Sequence, residues 1–409
     1  MKFFSCIDIN TKSNKIFVMK KFLNICFRFF PDEVGGSKRF IFDLNKFLVR
    51  KGNHSFVFTA QPAKKKLIEN EIIENIKIER YELNTKINFL TLVKNFKTVK
   101  EKIKKINLTD FDFIFFHHPF PSFFFLFFIK KNLNIKKYLF FYGPWYKEYL
   151  IDHKFSNRKF IFFILPFVMK FIEIFVMKKM DKIIVLSEYS KKLCIKYYGI
   201  NSEKIILFSG CVDLEKFKRL NLSKEQNEQI IFLTIRRLEA RMGIDNLIKA
   251  IKLLKDNNKS QYEKIKVLIG GDGSLKKYLE NLTNKFGLSE KIIFLGFIPE
   301  SQLCEIYNSA DFFILPSIKE EGFGMVLPES ISCGCIPLGT NVAAIPEFFK
   351  NYSTKFLING FSENDIYEKI KEVLTLTKEE KEKYIEKGLK LAEEKYNWEK
   401  LINKFLNII

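Results

Sequence analysis

The sequence predicts an α/β protein with two doubly wound domains, each built on a largely parallel sheet. Short apolar runs alternate with longer amphipathic runs, which is the pattern of strands followed by helices. The alternation pauses in the polar stretch 218–228 and then starts again, which places a domain boundary there. The 409 residues suffice for two or three domains with buried cores.

The first half opens with the apolar run from Phe22 to Phe30, which is typical of a buried strand. The loop 31–36 follows, and the next amphipathic run predicts a helix over 38–51 that ends at Gly52. Further strands of this half are predicted over 55–59, 112–116 and 182–187.

The second half repeats the pattern from residue 230 onward. Its predicted strands are 230–234, 266–269, 292–295 and 312–315, and its predicted helices are 245–255, one that begins at 274, 378–395 and 398–409. The glycine run 270–273 directly follows a strand, and we interpret it mainly as a backbone turn. Open parallel sheets bind ligands at the carboxyl ends of their strands, so we expect functional residues at these ends in both halves.

The chain is strongly basic. It has 69 Lys and Arg against 47 Asp and Glu, a formal net charge of +22, together with 47 Phe. A positive protein favours anionic partners, namely nucleic acid, acidic lipid headgroups or a nucleotide diphosphate. A coding bias that enriches Lys, Asn, Ile and Phe in every protein of the source is the alternative explanation.

The seven cysteines are odd in number and lack C-x2-C spacing, which is typical of reduced thiols in a cytosolic protein. The four histidines form no H-E-x-x-H motif, so we expect no metal site. These residues are Cys6, Cys26, Cys194, Cys211, Cys304, Cys333, Cys335, His54, His117, His118 and His153.

Two apolar stretches, 111–129 and 160–177, are candidate membrane spans. Prolines and charged residues interrupt both, so neither has the ~20 apolar residues that a span needs. Polar residues between Met1 and Lys21 also argue against a signal peptide. Because the run that begins at Met19 is a plausible protein start, residues 1–18 are predicted to be an appendage or to follow a mis-set start site.

The run 320–330, with the sequence E-E-G-F-G-M-V-L-P-E-S, holds two carboxylates, Glu321 and Glu329, across a glycine-rich turn. The residues from 326 onward predict a helix, so Gly322 and Gly324 lie where backbone amides meet a ligand. On one continuous helix the two carboxylates would be about 12 Å apart, whereas the carboxylate pair of a retaining glycosidase needs ~5 Å. They are therefore predicted to bind hydroxyls, and solvated charges at an ordinary helix start are the alternative.

A cluster of arginines follows the strand 230–234. Arg236, Arg237 and Arg241 lie where a guanidinium binds a diphosphate in a bidentate way and neutralises the charge on a departing group. Arginines that merely snorkel from a sheet edge are the alternative.

Two features of the first half lie between a strand and the next helix. Gly35 and Gly36 allow backbone amides to approach a phosphate, although a tight turn is the commoner reason for paired glycines. His117 and His118 end the strand 112–116, where a histidine hydrogen-bonds a sugar hydroxyl or a backbone carbonyl near a reacting carbon. A core histidine with satisfied hydrogen bonds is the alternative.

Taken in order, these motifs resemble those of the retaining glycosyltransferases of family 4, whose GT-B fold has two facing Rossmann-like domains. The resemblance rests on the E-x7-E spacing of Glu321 and Glu329, the first glycine loop, an H-x-P-like element and the tail 339–347, and it covers roughly residues 20–409. The family pattern G-R-L, three residues, K-G is altered, because Arg236 replaces the glycine and Met242 replaces the lysine.

The resemblance implies three parts: an N-terminal Rossmann-like acceptor-binding domain over 1–217, a C-terminal nucleotide-sugar-binding domain over 218–395, and a helix over 396–409 that crosses back. It implies catalytic roles for Glu321, His117 and Arg237, and donor binding by Gly36, Arg237, Arg241, Ile298, Gly322, Phe323, Gly324 and Glu329. His117 is favoured over His118, and Arg241 is expected to substitute for the missing lysine. Glu321 would hold the hydroxyls of the donor sugar and Glu329 those of the ribose, without a metal or other cofactor.

The predicted function is the transfer of a sugar, with retention, from a nucleotide-diphosphate sugar to a hydroxyl of a glycan or lipid-linked acceptor. The expected setting is the synthesis of cell-surface polysaccharide, lipopolysaccharide or glycolipid in the cytoplasm, with no nucleic acid as partner. The Phe- and Lys-rich stretches 120–131 and 154–179 predict peripheral contact with an anionic membrane at its inner face. The alternatives are a basic membrane- or nucleic-acid-binding protein with a decayed GT-B active site, and an epimerase or phosphorylase of the same fold.

Overall fold

The computed structural model describes residues 18–61, 67–83, 89–129, 134–152, 159–221 and 229–409. Several features singled out in the sequence lie outside these residues: Cys6, His153, positions 1–17, and parts of the stretches 120–131, 154–179 and 218–228. By their internal contacts the residues group into two units, Met1–Phe140 with Phe175–Lys182 and Phe141–Ile174 with Ile183–Ile409. The domain limits at 217 and 395 stay predictions.

The strands of the first sheet come from the N-terminal half of the chain. They are β1 Lys21–Cys26, β2 His54–Ala60, β3 Asn70–Ile73, β4 Ile76–Tyr81, β5 Phe113–Phe116, β6 Lys136–Phe141, β7 Lys182–Val185 and β8 Ile205–Leu207. Their order is β3-β4-β2-β1-β5-β6-β7-β8. β3 pairs antiparallel with β4 at one edge, whereas β4, β2, β1, β5 and β6 pair in parallel.

The helices of this half are α1 Gly36–Arg50, α2 Phe89–Ile103, α3 Pro119–Leu126, α4 Trp145–Asp152, α5 Lys159–Lys178 and α6 Glu188–Tyr198. Between β1 and α1, residues 27–30 do not extend the strand as the sequence predicted. Phe29 and Phe30 instead pack against Phe42 of α1, with ring centroids 5.8 and 5.1 Å apart. These aromatic contacts fix the loop between the first strand and the first helix.

The second sheet is parallel throughout, as predicted. Its strands are β9 Ile230–Ile235, β10 Ile265–Gly270, β11 Ile292–Gly296, β12 Phe312–Leu315, β13 Ile336–Thr340 and β14 Leu357–Ile358, in the order β11-β10-β9-β12-β13-β14. Its helices are α7 Ile244–Asn257, α8 Lys259–Glu263, α9 Lys276–Lys285, α10 Glu300–Ser309, α11 Val326–Ser332, α12 Ile345–Asn351, α13 Glu363–Val373, α14 Lys378–Leu391 and α15 Trp398–Ile408. Strands buried on both faces and amphipathic helices such as α7 form one apolar core.

Each sheet has one position at which the strand order reverses. In the first sheet it lies between β1 and β5, and in the second it lies between β9 and β12. The loops that leave the carboxyl ends of such a strand pair diverge and leave a crevice, which is where open α/β sheets bind ligands. Most candidate residues named from the sequence follow these four strands, whereas Ile298 follows β11.

The last helix of the chain, α15, packs against the segment that follows β8. α15 packs on Phe208, whose ring centroid lies 4.8 Å from that of Phe405, and Val212 forms an isolated parallel bridge with Asn397. Among the described residues, no helix combines the length and the apolar character that crossing a bilayer requires.

Candidate active site

A closed set of hydrogen bonds joins the ends of β9 and β12. Nη2 of Arg236 donates to Oε2 of Glu321 at 2.5 Å, and Nη1 of Arg236 donates to Oγ of Ser317 at 2.6 Å. Ser317 Oγ in turn donates to Glu321 Oε2 at 3.3 Å. Arg236 and Ser317 are each one or two positions beyond the end of a strand, so the strand pair itself brings the three side chains together.

Glu321 is ionised in this arrangement. Burial alone raises the pKa of its carboxyl, but the charge and hydrogen bond of Arg236, the charge of Arg241 and the hydrogen bond of Ser317 together place the pKa below its ordinary value. The side chain of Glu321 keeps 15% of its surface exposed, against 8% for Arg236. A carboxylate of this kind accepts hydrogen bonds from ligand hydroxyls.

The other two arginines of the cluster have different surroundings. Arg237 is exposed and makes no hydrogen bond or ion pair with the part of the chain that the structure describes. Arg241 is buried, with Nη1 donating to the carbonyl of Glu320 at 3.0 Å and Nη2 lying 3.5 Å from Oε2 of Glu148. Arg237 is therefore open to a ligand, whereas Arg241 also braces the residue before Glu321.

Glu329, the second glutamate, is buried on α11 and accepts a hydrogen bond from the hydroxyl of Tyr307 at 2.9 Å. Tyr307 belongs to α10 and is itself buried. The predicted helix after the glycine turn is confirmed, so Glu321 precedes α11 while Glu329 lies within it. The two carboxylates thus have separate hydrogen-bond partners, and their role in binding hydroxyls stays a prediction.

The turn between the two glutamates packs closely against its neighbours. A Cβ at Gly322 would overlap the carbonyl oxygen of Tyr142, so a side chain is excluded there. The carbonyl of Gly322 accepts a hydrogen bond from Ser187 Oγ at 2.7 Å, at the start of α6. Phe323 packs on Tyr396, with ring centroids 5.8 Å apart, and Gly324 leads into α11 with a φ of +83°. Contacts within the protein therefore fix the shape of this turn.

Ile298 and the glycine run 270–273 pack against one another beyond β10 and β11. Ile298 is buried, and its side chain occupies the space that a Cβ at Gly270 would need. A Cβ at Gly271 would overlap the carbonyl oxygen of Arg236. The glycines consequently shape the backbone that carries Arg236, which agrees with the structural role that the sequence suggested for them.

In the other unit, His117 lies in a buried polar network after β5. It is 1% exposed, its Nε2 is 2.9 Å from Oδ1 of Asn24, and its ring stacks on Phe140 at 4.8 Å. Asn24 uses its amide group to donate to Asn45 and Ser55, so Nε2 of His117 carries the proton. Burial, with a smaller effect of the His118 charge, holds the pKa of His117 well below its ordinary value, and the ring is neutral.

His118 is also held by the backbone. Its Nδ1 accepts a hydrogen bond from the amide of Phe27 at 3.1 Å. Burial, together with the charges of Lys38 and Arg28, lowers its pKa to about 3. Both histidines are therefore neutral hydrogen-bonding groups, and the catalytic role assigned to His117 stays a prediction.

Gly36 begins α1, and a Cβ there would meet nothing within 4 Å. In the loop before it, Glu33 pairs with Arg28 of the same loop and with Lys38 of α1. A buried bidentate pair between Arg80 and Asp32, with both N···O distances 2.7 Å, anchors this loop to β4. Open space at Gly36 beside a braced loop is compatible with a ligand phosphate.

The sequence did not reveal how three residues of this site are used. Arg236 was named among the diphosphate-binding arginines and as a replacement for a family glycine, but not as the partner of Glu321, and Ser317 and Tyr307 were not singled out. The unusual arginine at a strand end was itself a usable signal, whereas nothing local marked the other two. Within the described residues, no group of three or more His, Cys, Asp or Glu side chains is arranged to hold a metal ion.

Two family models match adjoining parts of the chain. The model of glycosyltransferase family 4 matches residues 34–216, and that of glycosyl transferases group 1 matches residues 215–391. The chain belongs to the family 4 glycosyltransferases. Both predictions, the family and its GT-B fold, are thereby confirmed.

Relatives of this glycosyltransferase include an uncharacterized glycosyltransferase of Methanocaldococcus jannaschii, 28% identical over 218 residues that make up 53% of each chain. The serotype-specific mannosyltransferase WbdA of Escherichia coli is 28% identical over 180 residues, 42% of this chain and 22% of WbdA. The chain thus spans about half the length of the first relative and less of the second.

Among solved structures, HepE of Anabaena in complex with UDP and glucose is 16% identical and has a TM-score of 0.74. The match covers 95% of this chain and 99% of HepE. At this identity the likeness shows the fold of the glycosyltransferase.

Proposed function

We propose that this chain transfers a sugar from a nucleotide-diphosphate sugar to a hydroxyl of a glycan or lipid-linked acceptor, with retention of configuration. The observation that carries the proposal is the ionised Glu321 at the reversal point of the second sheet, paired with Arg236, whose neighbour in the chain, Arg237, is an exposed cation. A nucleotide sugar has hydroxyls for the carboxylate and a diphosphate for the guanidinium.

The names of two similar proteins support a donor nucleotide and a biosynthetic process for this proposal. WbdA is named a serotype-specific mannosyltransferase, and HepE was solved with UDP and glucose. For this chain we propose a donor sugar carried by a uridine diphosphate or a related nucleotide. We also propose that the chain acts in the synthesis of a cell-surface polysaccharide, lipopolysaccharide or glycolipid. The family match favours this reading over a binding protein with a decayed site.

In the proposed reaction, the bond between the anomeric carbon and the phosphate oxygen breaks, and a bond from that carbon to the acceptor oxygen forms on the same face. The proton of the acceptor hydroxyl moves to the departing phosphate oxygen. Arg237 and Arg241 stabilise the negative charge on the diphosphate, Glu321 holds the sugar and Glu329 holds the ribose. The proposed reaction uses no metal and no strong protein base.

We also propose that the protein meets a lipid-linked acceptor at an anionic bilayer. Four apolar residues of α5 share one helical face and are exposed: Ile164 (49%), Phe167 (75%), Val168 (45%) and Phe171 (65%). The exposed Lys178 ends this helix and the exposed Lys179 follows it, and the chain carries a net charge of +22. Apolar insertion flanked by lysines suits an anionic membrane surface. In the stretch 120–131, by contrast, α3 buries Phe124 and Phe125.

A panel of nucleotide sugars tests the proposed activity. Saturation with the correct donor is expected to raise the midpoint of thermal unfolding, because a ligand at 100 times its Kd adds about 2.7 kcal/mol of stability. Turnover is then followed by mass spectrometry with glycan and lipid-linked acceptors, and the anomeric configuration of the product by NMR. An inverted product would contradict retention, and the lack of any stabilising nucleotide sugar would overturn the proposed function.

A further inference from the structure

The two carboxylate oxygens of Glu321 differ in their surroundings. Oε2 accepts from both Arg236 and Ser317, whereas none of the described residues donates a hydrogen bond to Oε1. The side chain nevertheless keeps some exposed surface. Glu321 is therefore fixed through one oxygen and has the other oxygen to offer.

The groups that fix Glu321 are themselves fixed. The amide of Arg236 donates to the carbonyl of Gly270 at 2.9 Å, which ties its backbone to β10. The carbonyl of Ser317 accepts from Thr340 Oγ1 at 2.6 Å, which ties it to β13. The three-residue set is thus built on the frame of the sheet and needs no ligand to form.

We propose that Arg236 is a positioning residue that holds Glu321 as a single-oxygen acceptor, with Oε1 directed to one hydroxyl of the donor sugar. This inference rests on the proposed function and deepens it. A buried carboxylate without its cation would take up a proton or turn toward water, and either change removes the acceptor. Arg236 stands where the family pattern has a glycine, and its side chain acts by holding Glu321.

The role of Arg236 differs from those proposed for Arg237 and Arg241. Its guanidinium is already neutralised by Glu321, so it contributes little net charge to a departing diphosphate. Its removal is expected to act on the recognition of the sugar and on the ionisation of Glu321. The other charge that acts on Glu321 is that of Arg241, which stays in place when Arg236 is changed.

The test compares Arg236→Met, which keeps a long side chain without charge, with Arg236→Lys, which restores the charge. The carboxyl titration of Glu321 is read by NMR in protein labelled with 13C-glutamate, and Glu321→Gln assigns its signal. We expect the titration to move to higher pH in Arg236→Met and to return toward the wild type in Arg236→Lys. A titration that is the same in the wild type and in Arg236→Met would overturn the proposal.

The second measurement is steady-state kinetics of the wild type and the Arg236 variants with the nucleotide sugar that supports turnover. A misplaced catalytic contact costs about 100-fold, so we expect kcat/KM of Arg236→Met to fall by that order at neutral pH and the acid limb of its pH profile to shift upward. Arg219→Met, which loses the half-exposed pair with Glu382, is the matched control and should leave the acid limb unchanged. Thermal unfolding shows whether each variant is folded.

These measurements distinguish a failure of the proposed function from a failure of the role proposed for Arg236. A wild-type chain that turns over no nucleotide sugar overturns the proposed function, and the role of Arg236 with it. A wild type that turns over, together with an Arg236→Met variant of unchanged kcat/KM and pH profile, overturns only the role of Arg236. An Arg236→Lys variant that restores both the titration and the activity supports it.

Discussion

The hydroxyl of Tyr307 lies 2.9 Å from Oε2 of Glu329, so a residue of α10 holds the second glutamate of the E-x7-E run. Tyr307→Phe keeps the ring and removes this donor. We expect a loss of about 1–3 kcal/mol in the free energy of unfolding, because a buried carboxylate loses a hydrogen bond. Denaturant unfolding measures this loss, and calorimetry with the nucleotide sugar is expected to show weaker binding.

Tyr352→Phe is the control for this prediction, since the Tyr352 hydroxyl donates to the carbonyl of Tyr384 at 3.0 Å. It should lose stability without losing donor affinity. Unchanged donor affinity in Tyr307→Phe would show that Glu329 does not contact the donor.

The two glutamates are expected to fail in different ways. Glu321→Gln removes the charge next to Arg236 and should abolish most turnover, whereas Glu329→Gln should chiefly weaken donor binding. Steady-state kinetics separate the effects as a fall in kcat for the first variant and a rise in KM for the second. Near-normal kinetics in both would contradict the assignment of both residues.

The cations predict a second kinetic contrast. Removal of one such donor typically costs about 3 kcal/mol in the barrier, so Arg237→Ala should lose on the order of 100-fold in kcat with little change in stability, because Arg237 is exposed. Arg241→Ala should lose activity and stability together, because Arg241 also holds Glu320 and Glu148. Normal turnover of a folded Arg241→Ala variant would show that Arg241 does not replace the family lysine.

Much of the fold followed from the sequence, because strands buried on both faces leave continuous apolar runs such as Phe312 to Leu315. β4 and β6 were missed, since Lys77, Lys136 and Lys137 interrupt their apolar pattern. Ser317 and Tyr307 were missed for another reason: their partners are distant in sequence, with Arg236 81 residues from Ser317. The setting of His117 likewise depends on Asn24, 93 residues away. A sequence marks the ends of strands but not which side chains meet there.

Glu173 predicts how stability depends on pH. Burial raises its pKa from 4.5 to about 8, although the amide of Trp145 and the hydroxyl of Tyr198 donate to it at 2.8 and 3.0 Å. The folded state then keeps a proton that the unfolded state releases, so Glu173 makes the free energy of unfolding fall as pH rises from about 4.5 to about 8. Glu173→Gln should flatten this dependence and be the more stable protein at pH 8.

Urea unfolding between pH 5 and pH 9 measures the effect, with Glu290→Gln at an exposed position as the control. The control should follow the wild type at every pH. If Glu173→Gln also follows the wild type, Glu173 does not carry the buried proton.

Vesicle sedimentation tests the membrane proposal. Binding should rise with the fraction of phosphatidylglycerol, fall with salt and weaken in the pairs Phe167→Ser with Phe171→Ser and Lys178→Gln with Lys179→Gln. Phe361→Ser, which changes an exposed aromatic residue elsewhere, should bind like the wild type. Equal binding to neutral phosphatidylcholine and anionic vesicles, or binding to neither, would leave an enzyme with a soluble acceptor.

Gly271 lies so close to the carbonyl of Arg236 that the position of Arg236 depends on a residue that binds no ligand itself. A side chain at 271 would displace the Arg236 backbone, and with it the guanidinium that holds Glu321. A library of variants scored only by activity would therefore place Gly271 among the donor-binding positions. Because the overlap involves only backbone atoms of residue 236, position 271 is expected to require glycine whatever side chain stands at 236.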